Sequence, residues 1–560
     1  MDRIWHKSYD PKVPFSLEYP ETCLPLILEQ NAKSFSNNTA IDFFGAKLTY
    51  RQLWDHVLRL ANGLRQVGVV EGTKAAIMLP NTPQCVIAYY AALWLGATAI
   101  MTNPLYVERE LIHQWADSEA EVLFTLDHLY PKVEKVLPRT RIQTTVVTSI
   151  KDYLPFPLRY FYPVKAYFSK LFTSVPYDGI HLFSFEKMIG ENRPDPIPCA
   201  ARPDSLALLQ YTGGTTGVPK GAMLTHRNIL SNVVQIASWV PDLKRGEERF
   251  LSVLPFFHVF GMTVALNLAL YTGCEIIVMP RFDADEVMRT IRKKRPTFFP
   301  GVPTIFIAIM AHRKVDSFDL TSIRICNTGA APMPVEVMRR FEEKTGSKIL
   351  EGYGLSEASP VTHANPVDGI RKPGSIGIAL PDTECRIVDP KTGAGEMPTG
   401  QVGELVIRGP QVMKGYWKNE QETLKTLRDG WLHTGDLATM DGSGYVYIVD
   451  RKKDMVISGG YNIYPREIEE VLYEHPKVAD AAAIGVPHPK KGEAVKVFVV
   501  PKRGEDLDPQ EILDWCKEKL APYKVPREAE LRDSLPKTIV GKTLRRELRD
   551  EAAAGQQSGE

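Results

Sequence analysis

Short apolar runs of about four or five residues, separated by segments with helical periodicity, recur through the first two-thirds of the chain. Residues 75–79, 122–125, 206–209, 249–254, 275–279, 297–299 and 322–327 read as buried strands, and residues 223–234, 284–294 and 334–345 as helices. Strands separated by helices demand crossover connections, and these generate layered α/β structure with largely parallel sheets. The texture changes after Gly377. Residues 384–388, 403–408 and 445–449 alternate like half-buried strands between Gly and Pro turns, which predicts a small antiparallel, β-barrel-like subdomain. Beyond Lys453 a helix at 466–473, strands at 479–486 and 493–500, and a helix at 508–519 predict a separate α+β domain of about 100 residues. The expected organisation is therefore α/β: an N-terminal domain over residues 1–452 and a C-terminal domain over 453–560, with a tail that the composition from Ala552 onward predicts to be disordered.

Composition narrows the function classes. The 560 residues carry 68 Lys+Arg against 67 Asp+Glu, a net charge of +1, so no global field favours nucleic acid. A hydrophobic content of 44% excludes a disordered chain, and seven cysteines scattered from Cys23 to Cys516 exclude a disulfide scaffold. Residues 1–20 lack a basic segment followed by an apolar one, and a cytoplasmic setting is expected. The apolar run 85–101 is about a turn short of a membrane span and is broken by Gly96 and Thr98; it reads as a buried helix to Leu95 followed by a buried strand. Residues 151–177 are less ordinary. They hold nine Phe or Tyr residues with Lys151, Arg159, Lys165 and Lys170 against one acid, Asp152. Pro155, Pro157, Pro163 and Pro176 prevent one long helix. The expectation is that these rings pack on the protein surface; the alternative is peripheral contact with the inner face of the cell membrane.

The densest chemical signal is Tyr211-Thr-Gly-Gly-Thr-Thr-Gly-Val-Pro-Lys-Gly221. Gly213, Gly214 and Gly217 allow close backbone approach. The hydroxyls of Thr212, Thr215 and Thr216 and the backbone N–H groups suit phosphate oxygens, and Lys220 adds a cation. Val218 and Pro219 separate that lysine from the last loop glycine, so this is not a Walker A loop. Nor does it carry a dinucleotide fingerprint. A purely structural surface loop is the alternative.

This loop resembles the phosphate-binding motif of the acyl-adenylate-forming enzymes, a superfamily of acyl-CoA synthetases, luciferases and peptide-synthetase adenylation domains. The likeness extends in order through Glu351-Gly-Tyr-Gly-Leu-Ser-Glu357, Gly415-Tyr-Trp417, Asp429-Gly-Trp-Leu-His-Thr-Gly-Asp436, Asp450-Arg-Lys-Lys-Asp454, Gly459-Gly-Tyr-Asn-Ile-Tyr-Pro-Arg-Glu467 and Pro536-Lys-Thr-Ile-Val-Gly-Lys542. It spans residues 50–549 and is most similar to bacterial long-chain fatty-acid–CoA ligases. The resemblance implies the acyl-adenylate-forming fold with a mobile C-terminal domain. It also implies a two-step reaction: a fatty acid and ATP give acyl-AMP, and coenzyme A then gives the thioester. By the same resemblance, Thr212 to Lys220 surround the β- and γ-phosphates, with Thr216 catalytic, and Thr216 and Glu357 serve Mg²⁺. Gly329, Ala330, Ala331, Glu351, Gly352, Tyr353 and Gly354 line the adenine, Tyr353 by stacking. Asp436 and Arg451 hold the ribose, and Lys453 is the hinge. Ser458, Gly459, Gly460 and Tyr461 enter the thioester-forming site. Lys542 bridges the carboxylate and the α-phosphate, and His258 positions the acyl carboxylate. Phe260, Met262 and residues 299–304 are expected along the acyl tunnel. Some thermophilic relatives carry a Trp gate shortly after this His; here only Phe260 follows.

The implied partners are a fatty acid, ATP and coenzyme A. A 4-coumarate-like aryl-acid or medium-chain ligase is the near alternative, with a luciferase-type oxygenase and a carrier-protein acceptor further off. A non-enzymatic binding protein would be expected to have broken ATP motifs, and these are intact.

Overall fold

The computed structural model describes residues 3–557 apart from 170, 213–218, 332, 459–460, 489–491 and 539–540; at 165 and 555–557 only the backbone is described. The chain divides into two compact units. The larger comprises Ser8–Glu384 and Arg408–Leu432; the smaller comprises Met1–Lys7, Cys385–Ile407 and His433–Glu560.

Two sheets build the larger unit. One has seven strands in the spatial order Leu182–Ser184, Thr144–Thr148, Val122–Leu126, Lys74–Met78, Thr98–Met101, Leu206–Thr212 and Lys220–Thr225, all parallel except the last. The other has nine, with a parallel centre running through Lys348–Gly354, Ile325–Thr328, Phe298–Gly301, Arg249–Ser252, Glu275–Val278 and Thr39–Phe43, and antiparallel pairs at both edges. The strand Val122–Leu126 is buried at every position, which explains why the sequence shows a nearly continuous apolar run there rather than alternation; Thr144–Thr148 is equally buried, but its three threonines hide it in the sequence. Every residue of the helix Pro83–Trp94 is buried, and the strand Thr98–Met101 follows it. Among the described residues no helix is long and apolar enough to cross a membrane.

One expectation fails beside the glycine-rich loop. The predicted helix at 223–234 begins only at His226; Lys220–Thr225 is a strand paired antiparallel with Leu206–Thr212. The Thr225 hydroxyl accepts from the Asn228 N–H and the Asn228 side chain accepts from the Thr225 N–H, a capping box that fixes the helix start.

In the smaller unit, the strands Glu384–Val388, Gly403–Arg408 and Trp431–Met440 lie side by side, and Val446–Arg451 pairs antiparallel with the last of them. A second sheet joins Tyr461–Ile463, Val456–Ser458, Gly492–Pro501, Val478–His488 and Glu528–Leu531. The helices Pro465–Tyr473 and Pro509–Lys519 bury Ile468, Leu472, Ile512 and Cys516 in its core. The terminal helix Arg545–Gln557 runs past Ala552, where disorder was expected, because Leu548 and Ala552 cover Ile484 and Phe498.

The aromatic-rich segment differs from its first expectation. Tyr153 packs on His56 and Tyr162 is half-buried, as expected, but in the helix Leu158–Phe168, which contains Pro163, Phe168 is 80% and Tyr160 72% exposed, and Phe156 ahead of it is 83% exposed.

Candidate active site

In the larger unit, predicted site residues gather at the carboxyl ends of parallel strands, where open α/β sheets bind ligands. Ile325–Thr328 and Lys348–Gly354 are parallel neighbours with Thr328 opposite Glu351. Beyond Thr328 comes Gly329-Ala330-Ala331, in which Ala330 is left-handed at φ 69°, an unfavourable backbone for a residue with a side chain. A Cβ on Gly329 would stand 3.1 Å from the Gly352 carbonyl and 3.8 Å from the Phe260 ring, so three predicted segments converge there. The Glu351 carboxylate accepts from the N–H groups of Met333 (3.1 Å) and Gly374 (3.2 Å), which ties the segment after Ala331 to this strand end. The Tyr353 ring meets His363 edge-on at 6.1 Å; burial pushes the His363 imidazole down to about 3, so this neighbour is neutral. At Gly354 any side chain would collide with the Pro360 carbonyl.

The glycine-rich loop is the connection of a β-hairpin. Thr212 and Lys220 face each other across its base, and Tyr211 faces Gly221. The predicted Gly213, Gly214, Thr215, Thr216 and Gly217 lie outside the described residues. The other side of the strand Lys220–Thr225 is bordered by Gly415-Tyr416-Trp417: the Met223 N–H donates to the Gly415 carbonyl (2.9 Å) and the Trp417 N–H to the Gly221 carbonyl (2.8 Å). This places Tyr416 between two predicted site residues. Its hydroxyl donates to Glu357 Oε1 at 2.8 Å, and the Lys220 ammonium lies 5.6 Å from its ring centroid. Burial, then the Glu357 charge, raises the Tyr416 pKa well above its ordinary value, keeping the hydroxyl a donor. Lys220 also pairs with Glu422 at 3.1 Å. The Lys220 cation and the Glu357 carboxylate thus meet at one tyrosine. The Gly415-Tyr-Trp417 motif was visible in the sequence, but nothing there assigned Tyr416 a role.

His258 precedes a π-helical stretch, Gly261–Asn267, of the kind often found at functional sites. At Gly261 a Cβ would collide with the Pro255 carbonyl, so the chain can fold back here only on glycine. The Phe260 N–H donates to His258 Nδ1 (3.2 Å), which leaves the proton of the neutral ring on Nε2 as a donor. Met262 and Phe299 are fully buried and Phe260 nearly so.

In the smaller unit, Asp436 faces Arg451 across two antiparallel strands, and Arg451 Nε pairs with Asp436 Oδ1 at 3.0 Å. Lys542 occupies a tight turn: its N–H donates to Thr538 Oγ1 (3.1 Å), its carbonyl accepts from the Thr538 N–H (2.8 Å), and Gly541 supplies a left-handed φ of 77°. The residue keeps solvent access, but burial by the surrounding protein first, then the Arg451 guanidinium, draws its pKa down to about 8. Lys453 acts in the same direction, while Asp436 and Asp454 oppose it. The Lys453 pKa is itself lowered, chiefly by burial. Three residues beyond Lys542, Arg545 pairs with Asp450 (3.0 Å), Asp454 (3.4 Å) and Glu469 (2.7 Å), and Arg549 also pairs with Asp454. Nothing in the local sequence marks this anchor, because Arg545 sits in a basic run that reads as solvated charge.

Asp436, Arg451, Lys453 and Lys542 thus share one electrostatic neighbourhood. Ser458 and Tyr461 have partners in their own sheet: they pair with each other, Ser458 also pairs with Gly492, and Tyr461 stacks on Tyr523 at 4.6 Å. Gly459 and Gly460 lie outside the described residues.

Known proteins match this arrangement along the whole chain. Residues 28–417 match the AMP-binding enzyme family and residues 467–542 its C-terminal domain. A long-chain-fatty-acid–CoA ligase of Bacillus subtilis (strain 168) is 46% identical over 550 residues, covering 98% of each chain. A feruloyl-CoA synthase of an Amycolatopsis species is 37% identical over 523 residues, covering 93% of this chain and 97% of the relative. Among solved structures, ATP-bound MatB from Rhodopseudomonas palustris superposes with a TM-score of 0.83 at 28% identity, over 95% of this chain and 99% of that one. With the family match over residues 28–417 and 46% identity to a relative along 98% of both chains, the chain belongs to the AMP-binding, acyl-adenylate-forming enzyme family.

Proposed function

We propose that the protein is an AMP-forming ligase that activates a long-chain fatty acid and transfers it to coenzyme A. In the first step a carboxylate oxygen attacks the α-phosphorus of ATP and pyrophosphate leaves. In the second, the coenzyme A sulfur attacks the acyl carbonyl and AMP leaves. The physical difficulty lies in the first step, where one anion must approach another, and it calls for cations and oriented dipoles already in place. The observation that carries the reading is the meeting of Lys220 and Glu357 at Tyr416, beside the base of the glycine-rich hairpin.

In this reading Lys220, Thr212 and the loop residues 213–217 take the β- and γ-phosphates, with Thr216 at the reacting end. Glu357, its orientation held by Tyr416, would bind Mg²⁺ with Thr216, and the ion would supply charge neutralisation at the phosphates. Tyr353, Gly329, Ala330, Ala331, Gly352 and Gly354 form the adenine slot, braced by Glu351. Asp436 accepts from the ribose hydroxyls beside Arg451. Lys542 lies between carboxylate and α-phosphate, and the His258 Nε2–H donates to the carboxylate. Phe260, Met262 and residues 299–304 border the acyl chain, each buried methylene contributing about 0.8 kcal/mol. Lys453 is the joint about which the domain from residue 453 onward turns between the steps, bringing Ser458 to Tyr461 to the pantetheine arm. The setting is cytoplasmic.

Identity to the Bacillus ligase over nearly all of both chains supports the long-chain acid. The feruloyl-CoA synthase relative supports the second reading, an aryl acid. ATP–pyrophosphate exchange with acids of graded length and with cinnamates, followed by thioester detection, tests both. Exchange that rises with chain length supports the first reading; exchange with cinnamates alone replaces it by the second.

A further inference from the structure

We infer that Cys23 and Cys199 form an oxidation site: a peroxide joins them as a disulfide, which staples the helix Leu24–Ser34 to the segment ahead of the strand Leu206–Thr212. The two residues stand 176 positions apart in the chain, yet their Sγ atoms lie 3.7 Å from each other, in a hydrogen-bond contact where either sulfur can be the donor. Each is held by packed structure on its own side. Cys23 opens the helix Leu24–Ser34, which the Asn31 side chain ties down by donating to the carbonyls of Leu270 (2.6 Å) and Tyr271 (3.0 Å). Cys199 lies in a stretch clamped to Trp94, whose indole N–H donates to the Ile197 carbonyl (3.0 Å) and whose carbonyl accepts from the Ala200 N–H (2.9 Å). The approach of the two sulfurs is therefore fixed by the core and not by a free loop.

Of the seven cysteines, Cys199 is the one that solvent reaches; the other six are buried. Burial pushes the Cys85 thiol up to about 12 and the Cys516 thiol up to about 11, so these stay protonated and inert. The pair behaves differently. The hydrogen bond with Cys199 draws the Cys23 pKa down against the effect of burial, helped by the Leu26 N–H in the first turn of the helix, while the same bond and then burial raise Cys199. One proton thus leaves the pair readily and the other bridges it. Since either sulfur can hold the bridging proton, negative charge is available at Cys199, where an oxidant arrives. The Cys199 thiolate attacks hydrogen peroxide: an S–O bond forms, the O–O bond breaks, and the departing hydroxide takes the Cys23 proton as water. The Cys23 thiolate then attacks the Cys199 sulfenic sulfur: the S–S bond forms, the S–O bond breaks, and hydroxide leaves as a second water with a proton from solvent. Two electrons pass from the sulfurs to the peroxide.

The bond closes a loop that holds five of the seven strands of the first sheet, so it restricts the unfolded chain more than the folded one. The test treats the full-length protein with hydrogen peroxide, alkylates the remaining thiols after denaturation, and maps the digest without reduction. The expected result is a cross-linked Cys23–Cys199 peptide that dithiothreitol separates, formed at least about ten-fold faster than oxidation at any other cysteine. Oxidised wild type should melt about 5 °C above the reduced protein, and Cys199→Ser should show neither the cross-link nor the shift. If Cys199→Ser does not fold, Cys23→Ser takes its place, and the wild-type digest decides in either case. The proposal falls if all seven thiols remain open to alkylation, if Cys199 proceeds to the sulfinic acid while Cys23 stays free, or if the bond forms and the melting temperature does not rise. Every readout is chemical or thermal, so the result stands whether or not any acid is activated.

Discussion

Raising the pH from 7 to 9 should slow adenylation about ten-fold, through Lys542. In the role proposed for it, its ammonium must carry a proton to lie between two anions, and burial with the nearby Arg451 lowers its pKa from 10.5 to about 8. A lowered lysine pKa means that the charged form dominates below pH 8 and is lost above it. The protonated fraction therefore falls from about nine-tenths at pH 7 to about one-tenth at pH 9, whereas an ordinary lysine would lose only a few per cent. The assay is ATP–pyrophosphate exchange at low substrate, so that the rate reports the free enzyme. Coenzyme A is omitted because its thiol titrates in the same window. Lys542→Arg should be slower but flat across this range, since a guanidinium does not titrate there. Lys542→Ala should lose about 10²–10³ in exchange rate while thioester formation from supplied acyl-AMP suffers much less. A flat wild-type profile, or equal damage to both steps in the Ala variant, would refute the reasoning.

Tyr416→Phe removes the hydrogen bond to Glu357 and should raise the Mg²⁺ concentration needed for half-maximal exchange several-fold, with little change in melting temperature; a Mg²⁺ titration checks it. Glu351→Gln leaves one of the Met333 and Gly374 N–H groups without its charged acceptor and should cost about 1–2 kcal/mol of stability and weaken ATP binding, read by thermal unfolding and the KM for ATP. Gly354→Ala forces a methyl group against the Pro360 carbonyl and should destabilise the fold by about 1–3 kcal/mol or more, again read by unfolding.

The buried strands were legible because a strand covered on both faces has to be a short apolar run, and Val122–Leu126 is one. A local window predicts helix from residue 223 because Met223 and Leu224 are good helix formers. Pairing with Leu206–Thr212 on one side and Gly415–Trp417 on the other overrides that preference, and neither partner is visible in a local window. The aromatic helix shows a different limit. Spacing identifies the face that Tyr160, Phe161 and Phe168 share, but not whether it points in or out. The site motifs were legible as an ordered series, whereas Tyr416 and Arg545 gain meaning only from carboxylates far away in the chain.

Arg545 also bears on how the protein can be shortened or fused. One guanidinium answers three carboxylates, Asp450, Asp454 and Glu469, of which Asp450 is almost wholly inaccessible. A protease cut or stop codon just ahead of residue 545 would strand those negative charges and strip Leu548 from its apolar cluster, so the last helix is a keystone of the smaller unit. An affinity tag belongs after Gln557, never in place of the helix that ends there.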